Sequence, residues 1–362
     1  MNGTAKRWAY LDLCRVVSIF AVVLIHVTAS QIYKAPVGSF AWGVESVYFG
    51  ALRFCIPVFF MVSGPLLLDP SKSLPVKKLY TKNILRLVAS LLFWSAMFYV
   101  FLVYLQDPDL NWQNFSLSAF IAQVLGGHPD HHWFLFSMIA VYMAAPILRR
   151  VTRRKSACEY FLVLWFLFQI LLTSLRLMLT LFPDLPPATL TVMEAFSSFF
   201  GKIAPGPLMG FSGYMVLGYY LHFYPPAPEI RRLLQALGGV GVLLTLGFTY
   251  FASLGQALTN EAFYEPYTLW VCASSVAVFL SARAIFPHPL EHNGGIVSRL
   301  GDYSFGVYLV HDFFLNYANR RDWAALLPAP VAPLVLTLGV LVLSFGVVAA
   351  LKRIPVVRDY LC

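Results

Sequence analysis

Residues 10–30 read YLDLCRVVSIFAVVLIHVTAS, a stretch of membrane-crossing length that carries Asp12, Arg15 and His26 in otherwise apolar sequence. A helix of about 20 apolar residues crosses the hydrocarbon of a bilayer. An ionisable side chain at that depth costs about 3 kcal/mol or more, so such residues face a protein interior or a cavity and mark function. At 100° per residue, the step from Arg15 to His26 closes to within about 20° of whole turns and spans roughly 16 Å, which puts both on one face. Asp12 lies one turn before Arg15 on that face, within pairing reach. Ser18, Val22 and Ala29 complete the stripe. A plain anchor has no use for such a track.

Working outward, the chain is 59% hydrophobic and only 12% charged over 362 residues, with mean hydropathy +0.70, which excludes a water-soluble globular protein. Apolar runs of spanning length fall at roughly 10–31, 42–68, 84–105, 131–148, 157–180, 206–224, 233–254, 266–285, 301–318 and 331–351. The expected fold is an all-α polytopic membrane protein of about ten transmembrane helices, one domain over 1–362. Its net charge of +9 is a matter of topology. With the N-terminus inside, Lys6, Arg7, the run Lys72–Arg86, the run Arg149–Lys155, Arg231, Arg232, Arg283, Arg299, Lys352, Arg353 and Arg358 all fall on one side, while the opposite loops take only Lys34, Arg320 and Arg321. That is the positive-inside pattern; it predicts both termini in the cytoplasm and argues against nucleic acid as a partner. Asp12 and Arg15 speak against a cleaved signal peptide, whose core is purely apolar. The five scattered cysteines offer neither a disulfide framework nor metal-ligand spacing.

Other spans carry polar groups as well. In RFCIPVFFMVSGPLLL, residues 53–68, Pro57 is expected to interrupt the helix, Ser63 and Gly64 to admit a neighbouring backbone, and Arg53 to reach toward the outer headgroups. Residues 128–150, HPDHHWFLFSMIAVYMAAPILRR, put His131, His132 and Trp133 near the outer surface, where Trp133 suits an interfacial anchor. In GDYSFGVYLVHDFF, residues 301–314, Ser304, Tyr308 and His311 share one helix face. A lone intramembrane histidine is often a packing residue; two, each on a polar stripe, point to a shared site. Counting about 1.5 Å per residue, His26 stands roughly 21 Å above Asp12 and His311 roughly 13 Å above Asp302, both in the middle to outer membrane.

This arrangement suggests a chemistry. A cationic inner mouth with imidazoles further out suits a long anionic donor such as a coenzyme A ester. A neutral imidazole at His26 can take the proton of an attacking hydroxyl, and Tyr308 or His311 can stabilise the charge on a thioester oxygen. An acetyl-His26 intermediate is the second route. Arg15, near the cytoplasm, is placed to bind coenzyme A, or else is held by Asp12 as a structural pair. Lys82, Arg86, Arg149 and Arg150, in the basic runs, report topology first and coenzyme A phosphates second. The competing class, a proton-coupled transporter or flippase of an envelope lipid or glycan, is expected to show paired repeats with broken helices, and none is evident. For a polyprenyl-phosphate glycosyltransferase the acidic candidates are only Asp107, Asp109 and Asp130.

The first span with Asp12, Arg15 and His26, PVFFMVSG at 57–64, HHWFLF at 131–136 followed by YMAAPILRR, GYMVLGYYL at 213–221 and YSFGVYLVH at 303–311 together resemble, in order, the acyltransferase-3 family of membrane acyltransferases. Within it the chain looks closest to bacterial O-acetyltransferases of the enterobacterial common antigen type. The resemblance implies transfer of acetyl from acetyl-CoA to a hydroxyl of a cell-envelope glycan in the bacterial inner membrane, with His26 and Arg15 essential and His131 at the family's fourth-helix histidine. From the ligand spacing, no metal is expected. Some relatives carry a fused extracytoplasmic domain; here such a helper is expected to be a separate protein.

Overall fold

The computed structural model describes residues 7–104, 116–126, 130–182, 210–289 and 295–362, with scattered positions between 186 and 199, and the extended structure among them is helical. Lys6, Asp107, Asp109, Lys202 and most of the 181–205 join lie outside the described residues, as does the side chain of Asp130.

The motif-bearing first span forms α1, Ala9–Ile32. It is the central post. Against it pack α2 (Phe40–Ala51), α3 (Cys55–Leu67), α11 (Leu269–Ile285), α12 (Ile296–Arg320) and α13 (Ala332–Leu351). Being wrapped on every side, α1 buries apolar residues all round, and Asp12, Ser18 and Thr28 are buried with them. The remaining helices are α4 (Leu85–Tyr104), α5 (Leu117–Gly126), α6 (Trp133–Val151), α7 (Lys155–Trp165), α8 (Leu172–Leu179), α9 (Phe211–Phe223), α10 (Pro228–Ser253) and the short α14 (Pro355–Tyr360). π-helical turns at Leu79–Ile84, leading into α4, and at Phe166–Leu171, between α7 and α8, keep those spans continuous. The expected all-α polytopic membrane architecture is what the chain adopts. Among the described residues, eight helical segments are long and apolar enough to cross a membrane. Two of the expected spans differ from these: α9 has 13 residues, and α12 carries Arg299, Asp302 and Asp312, of which Asp302 bonds Arg7 and Asp312 faces His131 while Arg299 is exposed.

The second span is broken, but not by Pro57. The chain turns at residues 52–54, between α2 and α3, and Pro57 falls in the first turn of α3, where a missing N–H costs nothing. This break places Arg53 inside the protein. Beyond it, α3 and α9 meet backbone to backbone: a Cβ on Gly64 would lie 2.1 Å from the Met215 carbonyl oxygen, and one on Gly218 would lie 2.0 Å from that of Met61. We expect Gly218→Leu to lower the melting temperature by 10 °C or more (order of magnitude from the overpacking of a dense core) or to stop accumulation. Gly239→Leu, where a side chain meets open space, should melt like the wild type in detergent.

Candidate active site

The site starts from the Asp12 carboxylate, which is almost wholly buried and therefore needs every lone pair satisfied. Arg7 Nε donates to Oδ2 at 2.7 Å, Ser298 Oγ donates to Oδ2 at 2.9 Å, and Arg15 Nη1 donates to Oδ1 at 3.1 Å. Arg7 then spans to α12, donating to Asp302 Oδ1 at 2.9 Å and to the Ser298 carbonyl at 2.8 Å. Gly301 lets α12 approach so closely, since a Cβ there would lie 2.9 Å from that of Asp12. Asp12 is thus the pin between α1 and α12. Arg15 shares only one guanidinium nitrogen with it.

Four turns further along α1, His26 meets α12 again. Its Nδ1 lies 2.8 Å from His311 Nε2, with the rings stacked at 5.0 Å. His311 is fully buried, and its Nδ1 lies 2.7 Å from the carbonyl oxygen of Tyr308. That carbonyl can only accept, which settles the proton pattern. His311 must carry its proton on Nδ1, so a neutral His311 accepts at Nε2. The donor to it is His26 Nδ1–H. The second nitrogen of a neutral His26, Nε2, then keeps its lone pair: a base whose tautomer is dictated by the ring behind it. A third imidazole closes the cluster. His131, in the 3-10 turn Asp130–His132 before α6, has its ring centre 5.0 Å from His311 and 5.8 Å from His26. Its Nδ1 faces Asp312 Oδ2 at 3.6 Å, and its carbonyl accepts the Tyr308 hydroxyl at 2.5 Å.

Two cavities abut here. The proximal one, at the N-terminal end of α1, has a volume of about 360 Å³ and is lined by Arg15, Asn83, Arg86 and Tyr142, among others. The distal one, about 140 Å³, is lined by His26, Arg53, His131, Trp133 and Tyr264, among others. Ile56, Phe134 and Tyr308 belong to both linings and form the wall between them. A two-chamber site with an arginine-lined entrance and an imidazole at the far chamber suits transfer of a group between two substrates that approach from opposite ends.

A family model described as an acyltransferase domain, that of the acyltransferase-3 family, matches residues 8–353. The chain belongs to this family. No curated protein and no solved structure matches it. The assignment makes the protein a membrane acyltransferase and leaves the transporter reading without support. In this acyltransferase four of the motif segments reach the chamber walls: Arg15 and His26 of the α1 segment, Phe59 and Ser63 of the α3 segment, Phe134 of the α6 segment, and Ser304 and Tyr308 of the α12 segment. The segment at 213–221, in α9, instead packs on α3.

The structure brings Asp12, Arg15, His26, His131, Tyr308 and His311 of the acyltransferase into one connected region, but gives two of them duties other than those expected. The Tyr308 hydroxyl is engaged by the His131 carbonyl, and both His311 nitrogens are engaged, so neither is a free donor for an oxyanion in this arrangement. Of the cationic residues, Arg15 and Arg86 line the proximal chamber. Lys82 and Arg150 are exposed and outside that lining, and Arg149 donates to the Leu67 carbonyl at 2.8 Å and to that of Lys72, tying down the end of α3. Trp133, expected as an interfacial anchor, lines the distal chamber and stacks on Phe211 with ring centres 5.9 Å apart. Sequence reasoning passed over Asp312, whose only signal was its place beside His311, and left Arg53 at the headgroups. Sequence spacing offered no metal site, yet the fold gathers ligand atoms of His26, His311 and Asp312 within 4.8 Å of one another. A divalent ion would find its ligands there, although a shared proton already accounts for the His26–His311 contact.

Proposed function

We propose that this acyltransferase is an O-acetyltransferase that moves acetyl from cytoplasmic acetyl-CoA to a hydroxyl of a cell-envelope polysaccharide or lipid-linked glycan, in the manner of the enterobacterial common antigen type, and that it resides in the bacterial inner membrane. The observation that carries this reading is the His311-backed His26 in a chamber that abuts the arginine-lined one. With the basic loops on the cytoplasmic side, the proximal chamber opens toward the acetyl-CoA pool. Arg15 and Arg86 there suit the phosphates of coenzyme A, and the pantetheine arm carries the thioester to the wall at Ile56, Phe134 and Tyr308. The acceptor hydroxyl enters the distal chamber beside His26.

In the reaction the hydroxyl oxygen adds to the acetyl carbon while His26 Nε2 takes its proton. The C–S bond then breaks, and the departing thiolate receives that proton to leave as coenzyme A. His131, the third imidazole of the cluster, is the group we assign to the charge on the thioester oxygen. Direct transfer is favoured over an acetyl-His26 intermediate because a hydrogen-bonded, oriented imidazole is already arranged as a base.

The test is to incubate membranes holding the protein with acetyl-labelled acetyl-CoA and the envelope glycan. We expect label in alkali-labile ester on the glycan, and a transporter or an enzyme with another donor would leave the glycan unlabelled. A second result separates binding from architecture. Arg15→Lys, which exchanges a guanidinium fork for a point charge, should raise the acetyl-CoA KM about tenfold with kcat little changed. Asp12→Ala, which strips two arginines of their shared carboxylate, should act mainly on thermal stability. An Arg15→Lys enzyme with unaltered acetyl-CoA dependence would reduce Arg15 to a structural role.

A further inference from the structure

The mechanism leaves one charged group of the distal chamber unused. Arg53 sits in the turn that separates α2 from α3, and its guanidinium carbon lies 3.8 Å from the centre of the Phe49 ring and 4.3 Å from that of Tyr264. Its Nε and Nη2 are buried without a hydrogen-bond partner. Among the described residues no carboxylate lies within ion-pair distance of it, while Asp12, Asp69, Asp302 and Asp312 each have a cationic or imidazole neighbour.

A buried cation with no carboxylate in contact is expensive, and Glu265 acts on Arg53 only from beyond ion-pair distance. The two rings offset part of that cost, because a cation over an aromatic face is attracted by the ring quadrupole. But rings take up the flat face of a guanidinium. The edge, where the N–H groups point, is what a planar carboxylate or a phosphate engages in a two-pronged contact. Arg53 therefore lines the same small chamber as His26 and His131 with a guanidinium held by two aromatic side chains, its Nε and Nη2 enclosed and its remaining nitrogen, Nη1, the one left open to a ligand.

We infer that Arg53 reads an oxyanion carried by the acceptor, so that the glycan acetylated by this enzyme is acidic at or next to the sugar that receives the acetyl group. The inference rests on the acetyltransferase reading above and names its acceptor class. A distal chamber of about 140 Å³ is well below the several hundred Å³ that enclose a drug-sized ligand. It admits the reacting end of an acceptor, so an anion at Arg53 and a hydroxyl at His26 belong to the same sugar or to neighbours. Two sources share this chemistry: the carboxylate of a uronic acid and a phosphate ester on the glycan.

The experiment uses membranes of the native host with acetyl-labelled acetyl-CoA. The labelled glycan is cut to mono- and disaccharides under conditions that spare the ester, and these are resolved by anion exchange. We expect the label in a retained, anionic saccharide. Carbodiimide reduction removes the retention if the anion is a carboxylate, and phosphatase removes it if it is a phosphate. In parallel, Arg53→Met should transfer acetyl about 10- to 100-fold more slowly, the scale of a lost charge-assisted hydrogen bond, with an unchanged acetyl-CoA KM and an unchanged slow hydrolysis of acetyl-CoA to water. Arg53→Lys, which keeps the charge and packs similarly, should recover part of the transfer and covers the case in which the Met variant fails to accumulate. Label in a neutral saccharide overturns the inference. So does transfer at the wild-type rate by either variant, or an equal fall in hydrolysis and transfer, which would assign Arg53 to the reacting thioester instead. Unlabelled glycan in wild-type membranes overturns the acetyltransferase reading itself, a result distinct from a labelled but neutral product.

Discussion

His26→Ala is expected to reduce acetyl transfer by at least about 10³-fold, to the level of membranes lacking the protein, while the protein still inserts and accumulates. The size follows from what the side chain does. A sugar hydroxyl is a poor nucleophile until a base removes its proton, and a positioned base is worth about 10² to 10⁴ in rate. Here the loss should lie near the upper end, because the second imidazole cannot take over: His311 Nδ1 is tied to the Tyr308 carbonyl, and His311 sits fully buried behind His26. Stability should change little, since His26 is only partly buried and lines a cavity. His26→Gln is the sharper version, with similar volume and an amide that can still donate to His311 but cannot accept a proton at neutral pH. Labelled acetyl on the glycan measures both variants. Wild-type transfer by either one would remove His26 from the role of base, and equal loss of protein and activity in the Ala variant would leave the Gln variant to decide.

The polar stripe on α1 was legible in sequence because a helix repeats every 3.6 residues and because a membrane makes each ionisable residue conspicuous. The same logic found Tyr308 and His311 on α12, and counting rise per residue put His26 and His311 at similar heights; in the structure they touch, at 2.8 Å. Periodicity reports which face a residue occupies but not which atom of a neighbour it meets. Tyr308 looked like an oxyanion donor until its hydroxyl was seen to reach the His131 carbonyl, a contact across 177 positions of sequence. Arg53 was misplaced for a related reason. An arginine in the outer half of an uninterrupted span naturally reaches for headgroups, but the break at 52–54 turns it inward over Phe49 and Tyr264. The basic runs also divided in a way that charge alone does not foretell: Arg86 turned into the proximal chamber, and Arg149 turned to the carbonyls that end α3.

His311 gives the second large effect, and its variants distinguish a positioning residue from a base. In the proton pattern described, His311 Nε2 accepts from His26 Nδ1–H and so fixes the tautomer and the ring angle of His26. Substituting Ala removes the acceptor. His26 then loses its fixed orientation and can shift its proton to the other nitrogen, leaving no lone pair toward the acceptor hydroxyl. An orienting partner lost in this way costs about 10² to 10⁴ in kcat in other acyl-transfer enzymes, and we expect His311→Ala to fall in that range with the acetyl-CoA KM little changed. His311→Gln should recover about tenfold or more of that loss, since its amide oxygen can accept from His26 Nδ1–H while its amide nitrogen can donate toward the Tyr308 carbonyl. A residue that itself accepts the substrate proton admits no such rescue, because an amide is not a base. Measuring kcat for the two variants side by side therefore separates the roles. An inactive His311→Gln protein with normal thermal stability would make His311 a proton carrier in its own right and would require the proton path to run through both imidazoles.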